Sequence, residues 1–235
     1  MFNKKVSKFL VLSLFVIASI KPTVADAKIY VGADIGTTGL NFHASYYFKN
    51  LIGIRAEGNF IPKSVSGKLD TLVKKADSRI YDSKSTFNSY GIDLSVRPLF
   101  GSWHIDVGMR QMNYKITAST KQQVYGYDAM VYDDFTFKIA TGIKPYIGTG
   151  WTFNPILGLN INFDIGVIWT GKWKASSSGL RADIGDNVNN QFFSEALEDT
   201  EMEVQSVVGK VNRDIPSFLQ FWPVVKLGIG WQFNI

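Results

Sequence analysis

Apolar and polar residues alternate strictly along the last segment of the chain, from Phe221 to Ile235. From Val225 onward every odd position is apolar, and these positions include Trp231 and Phe233, whereas the even positions are polar or glycine. Such a strand has one apolar face and one polar face. With aromatic residues near its end, it is typical of the last strand of an outer-membrane barrel, which has lipid outside and a polar lumen inside.

Seven further strands are predicted upstream, most of them from the same alternation. They are Lys28–Ile35, Gly39–Phe48, Ile52–Phe60, Phe87–Arg97, Trp103–Arg110, a strand that ends with Lys144–Trp151, and Leu159–Trp169. The first of them is included because translocated barrels have an even number of strands and both chain ends in the periplasm.

Short and long connections alternate between these strands. Lys49-Asn50 and the stretches 99–102 and 152–158 are short, whereas 62–86, 117–131 and 176–217 are long and polar. Outer-membrane barrels have short periplasmic turns and longer outer loops. The alternating lengths of the connections therefore predict that the chain is an all-β protein of this kind. The predicted fold is an eight-stranded antiparallel transmembrane β-barrel with one loop helix.

The loop helix is predicted in the longest connection. Apolar residues recur there at about helical spacing, with acidic residues between them; they are Phe193, Leu197, Val204, Val208 and Val211. Two roles stay open for this helix, either resting on the barrel rim or acting as a lid that gates the lumen.

The N-terminus has the three parts of a secretory signal peptide. Lys4, Lys5 and Lys8 precede the apolar run Phe9–Ile20, and Ala25-Asp26-Ala27 supplies a small-residue cleavage site. We therefore predict a signal peptide over residues 1–27 and a barrel over residues 28–235. The apolar run is too short to span a bilayer as a helix.

Charge and cysteine content exclude several classes of function. The predicted signal carries four lysines and one aspartate, so its removal lowers the formal net charge from +5 to +2. This balance argues against a nucleic-acid partner. The chain has no cysteine, which excludes disulfides, thiolate metal sites and a cysteine nucleophile.

The inward faces of the predicted strands collect charged residues. The lumen-lining candidates are Arg55, Glu57, Asp93, Arg97, His104, Asp106, Arg110, Lys144, Asp164 and Lys226. An eight-stranded barrel has an interior that side chains can fill, and buried charges must be paired. These residues could therefore form a closed, salt-bridged core, or some of them could line a narrow path for a small charged solute.

Aromatic residues mark the expected lipid interfaces. The predicted interface aromatics are Trp103, Trp151, Trp169, Trp173, Trp231 and Phe233, with Trp169 and Trp173 at the outer rim and the others near the periplasmic ends of their strands. A soluble β-sandwich would instead bury its tryptophans in mid-strand.

No catalytic, metal or cofactor site is predicted. His43 and His104 lie on separate strands and lack the spacing of a metal motif. Ser45 lies beside His43, but both face the lumen near the periplasmic end, and no GxSxG motif is present.

Several short motifs resemble the CarO-type outer-membrane proteins. They are Ile35-Gly36-Thr37-Thr38-Gly39, Val96-Arg97-Pro98, Pro145-Tyr146-Ile147-Gly148, Asp164-Ile165-Gly166-Val167 before Thr170-Gly171, and Pro223-Val224 with Lys226-Leu227-Gly228. That family comprises small eight-stranded barrels of Gram-negative bacteria, described as uptake porins for ornithine or basic amino acids and linked to carbapenem entry. The resemblance implies the same fold and outer-membrane location.

Together these patterns predict a passive channel for small hydrophilic solutes, with basic amino acids implied by the resemblance. The alternative is a closed structural or surface-interaction barrel that acts through its outer loops. The expected partners are outer-membrane lipid, the barrel-assembly machinery and small charged solutes.

Overall fold

The structure, a computed structural model, describes residues 27–98, 102–123, 129–156, 158–184 and 190–234. The predicted signal peptide lies outside the described residues except for Ala27, as does the predicted turn 99–102 except for Ser102. Ile235, predicted as the last outward residue, also lies outside them.

Eight antiparallel strands, the first seven and the last along the chain, close into a barrel, because the first pairs with the last and the fifth pairs with the sixth. Two further short strands, which follow the seventh, both pair with the sixth. The strands are β1 (Ala27–Gly36), β2 (Gly39–Phe48), β3 (Ile52–Phe60), β4 (Ile80–Val96), β5 (Trp103–Gln123), β6 (Ala129–Ile156), β7 (Leu159–Trp169), β8 (Lys174–Ser177), β9 (Arg181–Ile184) and β10 (Phe221–Asn234). The predicted eight-stranded barrel is confirmed.

Two tight turns have local causes in the sequence. Lys49 and Asn50 have φ values of 48° and 53°, which is the geometry of the type I′ turns that match the twist of antiparallel strands. The β1–β2 turn is held by Thr37, whose hydroxyl donates to the carbonyl of Pro223 at 2.7 Å and accepts from the N–H of Val225 at 3.1 Å. We call the end of the barrel with Asn50 and Ser102 the short-turn end.

The barrel is polar inside and apolar outside. Outward residues such as Ile35 and Ile229 are 69% and 63% exposed, whereas the inward residues Arg110 and Lys226 are each 1% exposed. Soluble proteins bury the first kind of side chain and expose the second. The inversion matches the alternation seen in the sequence and is the arrangement of a barrel whose outer surface contacts lipid.

The connection 62–86 differs from the irregular loop predicted for it. Helix α1 (Lys63–Ala76) begins directly after Pro62, and β4 already starts at Ile80. Leu69 packs against apolar residues inside the barrel mouth, so tertiary contact stabilises a segment whose lysines and serines obscure its helical pattern. After the helix, hydrogen bonds from Arg79 lower the pKa of Asp77 to about 2.

The connection 117–131 is also not the polar loop predicted. β5 continues to Gln123 and β6 resumes at Ala129, so the two strands form a long hairpin that extends past the apolar belt. Beyond the belt the outward positions carry lysine, threonine and serine, whereas inward residues such as Ile116 and Phe137 are apolar, so the alternation is reversed and no longer marks a membrane strand.

The longest connection contains more structure than a single helix. The predicted helix is confirmed as α2 (Asn190–Asp214), and β8 and β9 precede it. The Asn212 side chain binds α2 to β8, since it accepts from the N–H of Ala175 at 2.7 Å and donates to its carbonyl at 2.9 Å. We call the end of the barrel with α1 and α2 the long-loop end. Among the described residues, no helix has the length and apolar character needed to cross a membrane.

The inward glycine Gly53 generates a stability prediction. A Cβ atom there would lie 2.6 Å from Cδ1 of Tyr47 and 2.7 Å from the backbone oxygen of Tyr46. Tyr47 is already held by a 2.7 Å hydrogen bond to Ser95. We expect Gly53→Ala to destabilise the barrel by about 1–3 kcal/mol, because the added methyl group overpacks the interior. The measurement is the midpoint temperature of heat unfolding, read from the gel mobility of unheated and heated samples, and this midpoint should fall.

Gly58 is the matched control on the same strand, because a Cβ atom there would meet nothing within 4 Å. Gly58→Ala should leave the midpoint unchanged or raise it. Equal effects of the two substitutions would contradict the close packing assigned to Gly53.

Candidate functional site: the barrel interior

The structure places nine of the ten lumen-lining candidates deep inside the barrel, each at most 5% exposed. They are Arg55, Glu57, Asp93, Arg97, His104, Asp106, Arg110, Asp164 and Lys226. Lys144 differs: it is only half-buried, lies opposite Arg110 in the β5–β6 register, and has no ion pair among the described residues.

Arg55 is the centre of one charge cluster. One of its terminal nitrogens lies 2.9 Å from Asp164 and 3.6 Å from Asp34, and the other lies 3.4 Å from Asp106. His104 Nε2 lies 3.1 Å from Asp164 Oδ1, and His43 Nδ1 lies 2.9 Å from Asp34 Oδ2. Strands from around the whole circumference therefore meet at one guanidinium.

Glu57 is the centre of a second charge cluster, further toward the long-loop end. Its two oxygens lie 2.8 Å from Nε of Arg110 and 2.8 Å from Nζ of Lys226. Arg110 also forms a two-pronged pair with Asp93, one contact of which is a 2.7 Å hydrogen bond. Lys226 lies 3.8 Å from Asp164, so it links the two clusters.

The short-turn end holds a different arrangement around Arg97. Its guanidinium lies over the rings of Tyr30 and Tyr47, 4.8 and 4.1 Å from their centroids. It donates to the Tyr30 hydroxyl at 3.0 Å and to the Asn50 side-chain oxygen at 2.7 Å. Among the described residues, the groups that contact this charge are therefore aromatic and amide groups and not carboxylates.

The long-loop end of the lumen is filled by apolar side chains. The cluster consists of Phe87, Met112, Tyr114, Ile139, Ala140, Tyr146, Ile168 and Val224. Tyr114 makes edge-to-face contacts with Phe87 at 5.5 Å and with Trp222 at 5.4 Å. This cluster and the charge clusters below it occupy successive levels of the barrel.

The two histidines of the interior are paired with aspartates. Among the described residues no hydrogen bond joins Ser45 to His43, so a Ser-His-Asp relay is not assembled although His43 contacts Asp34. No group of three potential ligand side chains in the described part of the chain has the arrangement to hold a metal ion.

Most of the predicted interface aromatics lie on the outer surface of the barrel. Trp169, Trp231 and Phe233 are 55%, 48% and 50% exposed on the outer surface, and Trp151 stacks on Phe163 there. Trp103 and Trp151 lie directly opposite each other in the β5–β6 register.

The position of Trp173 contradicts the prediction that this residue lies at the lipid interface. It packs against the apolar cluster within the long-loop mouth, where its ring meets Phe137 at 5.7 Å, and not on the lipid-facing surface. The chain leaves the belt after Trp169, so strand parity no longer decides which way Trp173 points.

Sequence reasoning missed Asp34, Tyr30 and Tyr146 as interior residues. Asp34 and Tyr30 share the even positions of β1, so assigning faces to that strand would have found them. Tyr146 lies 4.2 Å from the Arg110 guanidinium. A Cβ atom at Gly166 would lie 2.6 Å from this ring, so glycine makes room for it.

Comparison with known proteins gives the fold. No protein-family model matches the chain, and no curated protein matches it either. The crystal structure of Acinetobacter baumannii CarO2 is similar, with a TM-score of 0.50, 15% sequence identity, and coverage of 88% of this chain and 98% of that one. The chain has the CarO2 fold. The resemblance to CarO-type barrels is thereby confirmed at the level of the fold.

Two further solved structures are similar. Acinetobacter baumannii CarO has a TM-score of 0.49 and 18% identity over 91% of this chain and 100% of that one. A major outer membrane protein from Thermus thermophilus has a TM-score of 0.40 and 12% identity over 88% of this chain and 99% of that one.

The Glu57 cluster generates a second stability prediction. Glu57→Gln leaves Arg110 and Lys226 without the carboxylate that lies between them, so we expect a loss of about 3–5 kcal/mol. Lys226→Met should lower the stability by less, because Glu57 remains paired with Arg110 and Asp164 remains paired with Arg55. Heat-unfolding midpoints measured in one detergent give the order, and a larger loss for Lys226→Met would contradict this pairing.

Proposed function

We propose that the protein is an outer-membrane barrel closed along its axis, and that it acts through the surface of its long-loop end. Support for the membrane location comes from the apolar outer surface, the exposed aromatic residues, the CarO2 fold and the sequence resemblance. By the same argument the short-turn end faces the periplasm and the long-loop end faces the outside of a Gram-negative bacterium.

The observation that carries the closed state is the filled cross-section at Arg55 and Glu57. Each of these side chains contacts groups on several strands, and all their partners are buried. An eight-stranded barrel has little room beyond that of its side chains. Separating these pairs to admit a solute would leave uncompensated charges in a confined space, which is costly.

Passive uptake is the second candidate, and the CarO-type resemblance favours it. Small hydrophilic solutes would then cross the charged interior, in a conformation in which the Arg55 and Glu57 clusters have separated. Basic amino acids are a poor fit to the two mouths. Lys28 and Arg97 line a cavity at the short-turn end, and three lysines line another at the long-loop end. Rings of like charge repel a permeating cation.

The long-loop end supports a role in surface contact because three lysines meet there on one face of the sheet. Lys115, Lys138 and Lys174 lie directly opposite one another on three neighbouring strands. Like charges in that register are destabilising, and none of the three has an ion pair among the described residues. An anionic partner would relieve the repulsion. We propose the phosphorylated headgroups of outer-membrane lipid, an expected partner, as this anionic group.

The absence of cysteine allows a direct test of orientation. Ser64→Cys on α1 should react in intact cells with a maleimide that cannot cross the outer membrane. Ser102→Cys at the short-turn end should react only after the membrane is permeabilised. The reverse pattern would overturn the assignment of the two ends, and equal labelling of both would argue against the membrane location.

Closure is tested by conductance in planar bilayers. The purified wild-type barrel should produce no reproducible channel events, and Arg97→Ala should stay silent because the Arg55 and Glu57 clusters lie deeper. Removal of two bulky interior groups by Arg110→Ala with Tyr146→Ala should raise ion leakage, provided that gel mobility shows a folded barrel. Steady wild-type conductance that Arg97→Ala alters would support passive uptake instead.

A further inference from the structure

A cavity of about 510 Å³ opens at the short-turn end of the barrel. Lys28, Tyr30, Asn50, Arg97, Thr152 and Asn154 contribute to its wall. No carboxylate lines it among the described residues. The lining therefore combines two cationic side chains with hydroxyl and amide groups, and Phe153 and Pro155 add apolar surface.

Arg97 is the buried element of this cavity, with 3% of its surface exposed. In contrast to Arg55 and Arg110, it forms no ion pair with a carboxylate in the described part of the chain. Its Nε atom is buried and has no hydrogen-bond partner there. A buried charge with an unused donor is costly unless another group compensates it.

The neighbours of Arg97 hold it in place without neutralising it. The rings of Tyr30 and Tyr47 lie against the guanidinium, and Tyr47 is fixed in turn by its hydrogen bond to Ser95. Contact with aromatic rings stabilises a cation, but the rings carry no negative charge. A planar guanidinium held in this way presents a preorganised fork of donors, which matches the oxygens of a carboxylate or a phosphate.

We propose that this cavity is a binding site for a small oxyanion that enters from the short-turn side. Arg97 is the counter-charge at the base of the site, Lys28 adds positive charge at the rim, and Thr152 and Asn154 supply hydrogen-bond donors. Carboxylates and phosphates share the required chemistry, and the cavity has room for a molecule larger than the anion itself.

The same geometry makes the site a dead end and not the entrance to a pore. Asp106 and Asp164 lie deeper in the barrel around Arg55 and would repel an anion that moved further in. Binding itself needs only the wall of this cavity, so conductance in the bilayer experiment would contradict the dead end but not the binding site.

Arginine side-chain NMR of the refolded full barrel in zwitterionic micelles tests the site. Inorganic phosphate and glutarate are titrated separately at constant ionic strength, and the ¹H–¹⁵N signals of the arginine Nε–H groups are followed. The Arg97 signal, assigned by its loss in Arg97→Lys, should shift to saturation with at least one probe. The signals of Arg55 and of Arg213 on α2 should not move.

The two probes separate the sources. Saturation by phosphate alone identifies a phosphate site, and saturation by glutarate identifies a carboxylate site. Lys28→Gln should weaken the binding about threefold, as expected for loss of one partly exposed charge. This variant keeps the test valid if substitution of Arg97 prevents folding.

Three results would overturn the proposal. The Arg97 signal could stay fixed with both probes, which would mean that the tyrosine rings alone compensate its charge. The shift could grow linearly without saturation. Finally, Arg213 could shift in parallel with Arg97, which would indicate general binding of anions to basic groups.

Discussion

Closing eight strands into a cylinder leaves an interior just wide enough for the side chains that point into it. Closure also pairs each of these eight strands with a neighbour on both sides, which removes the free strand edges that a lipid environment would not tolerate. The inward side chains have no bulk water to solvate them. Polar groups in that space must satisfy one another, and the Arg55 and Glu57 clusters are the result.

Contacts between distant strands follow from this requirement. Lys226 on the last strand and Glu57 on the third are far apart along the chain, yet their charged atoms lie 2.8 Å apart. Such pairs couple strands that share no backbone hydrogen bonds. Glycines on the same faces allow the tyrosine and histidine rings to lie flat, so that the interior is filled without clashes.

The two ends of the barrel are closed by different means. At the long-loop end an apolar cluster fills the mouth, and Leu69 of α1 and Trp173 pack against it, so the outer segments are bound to the barrel. At the short-turn end Arg97 and two tyrosines close the lumen below an open cavity. The packing at the long-loop end holds the surface segments in place. The short-turn end retains the positive charge of Arg97, which no carboxylate neutralises in the described part of the chain.

Within the apolar belt, the amino-acid sequence by itself determined the strand order, the direction in which each side chain points and the identity of nearly all the buried charges. An apolar outer surface and a confined polar space inside impose a period of two on each strand, and this period is local information. Arg110, Asp164 and Ile229 could therefore be assigned to a face from their neighbours alone.

Only the tertiary structure decided which charges pair, where Trp173 points, and how far β5 and β6 extend. Pairing depends on the stagger of strands around the closed barrel, which no single segment encodes. Past the belt the outward face of the β5–β6 hairpin is polar and inward residues such as Ile116 and Phe137 are apolar, so the pattern of the belt is reversed although the strands continue. The cost of leaving Arg97 without a carboxylate likewise emerges only once the groups around it are known.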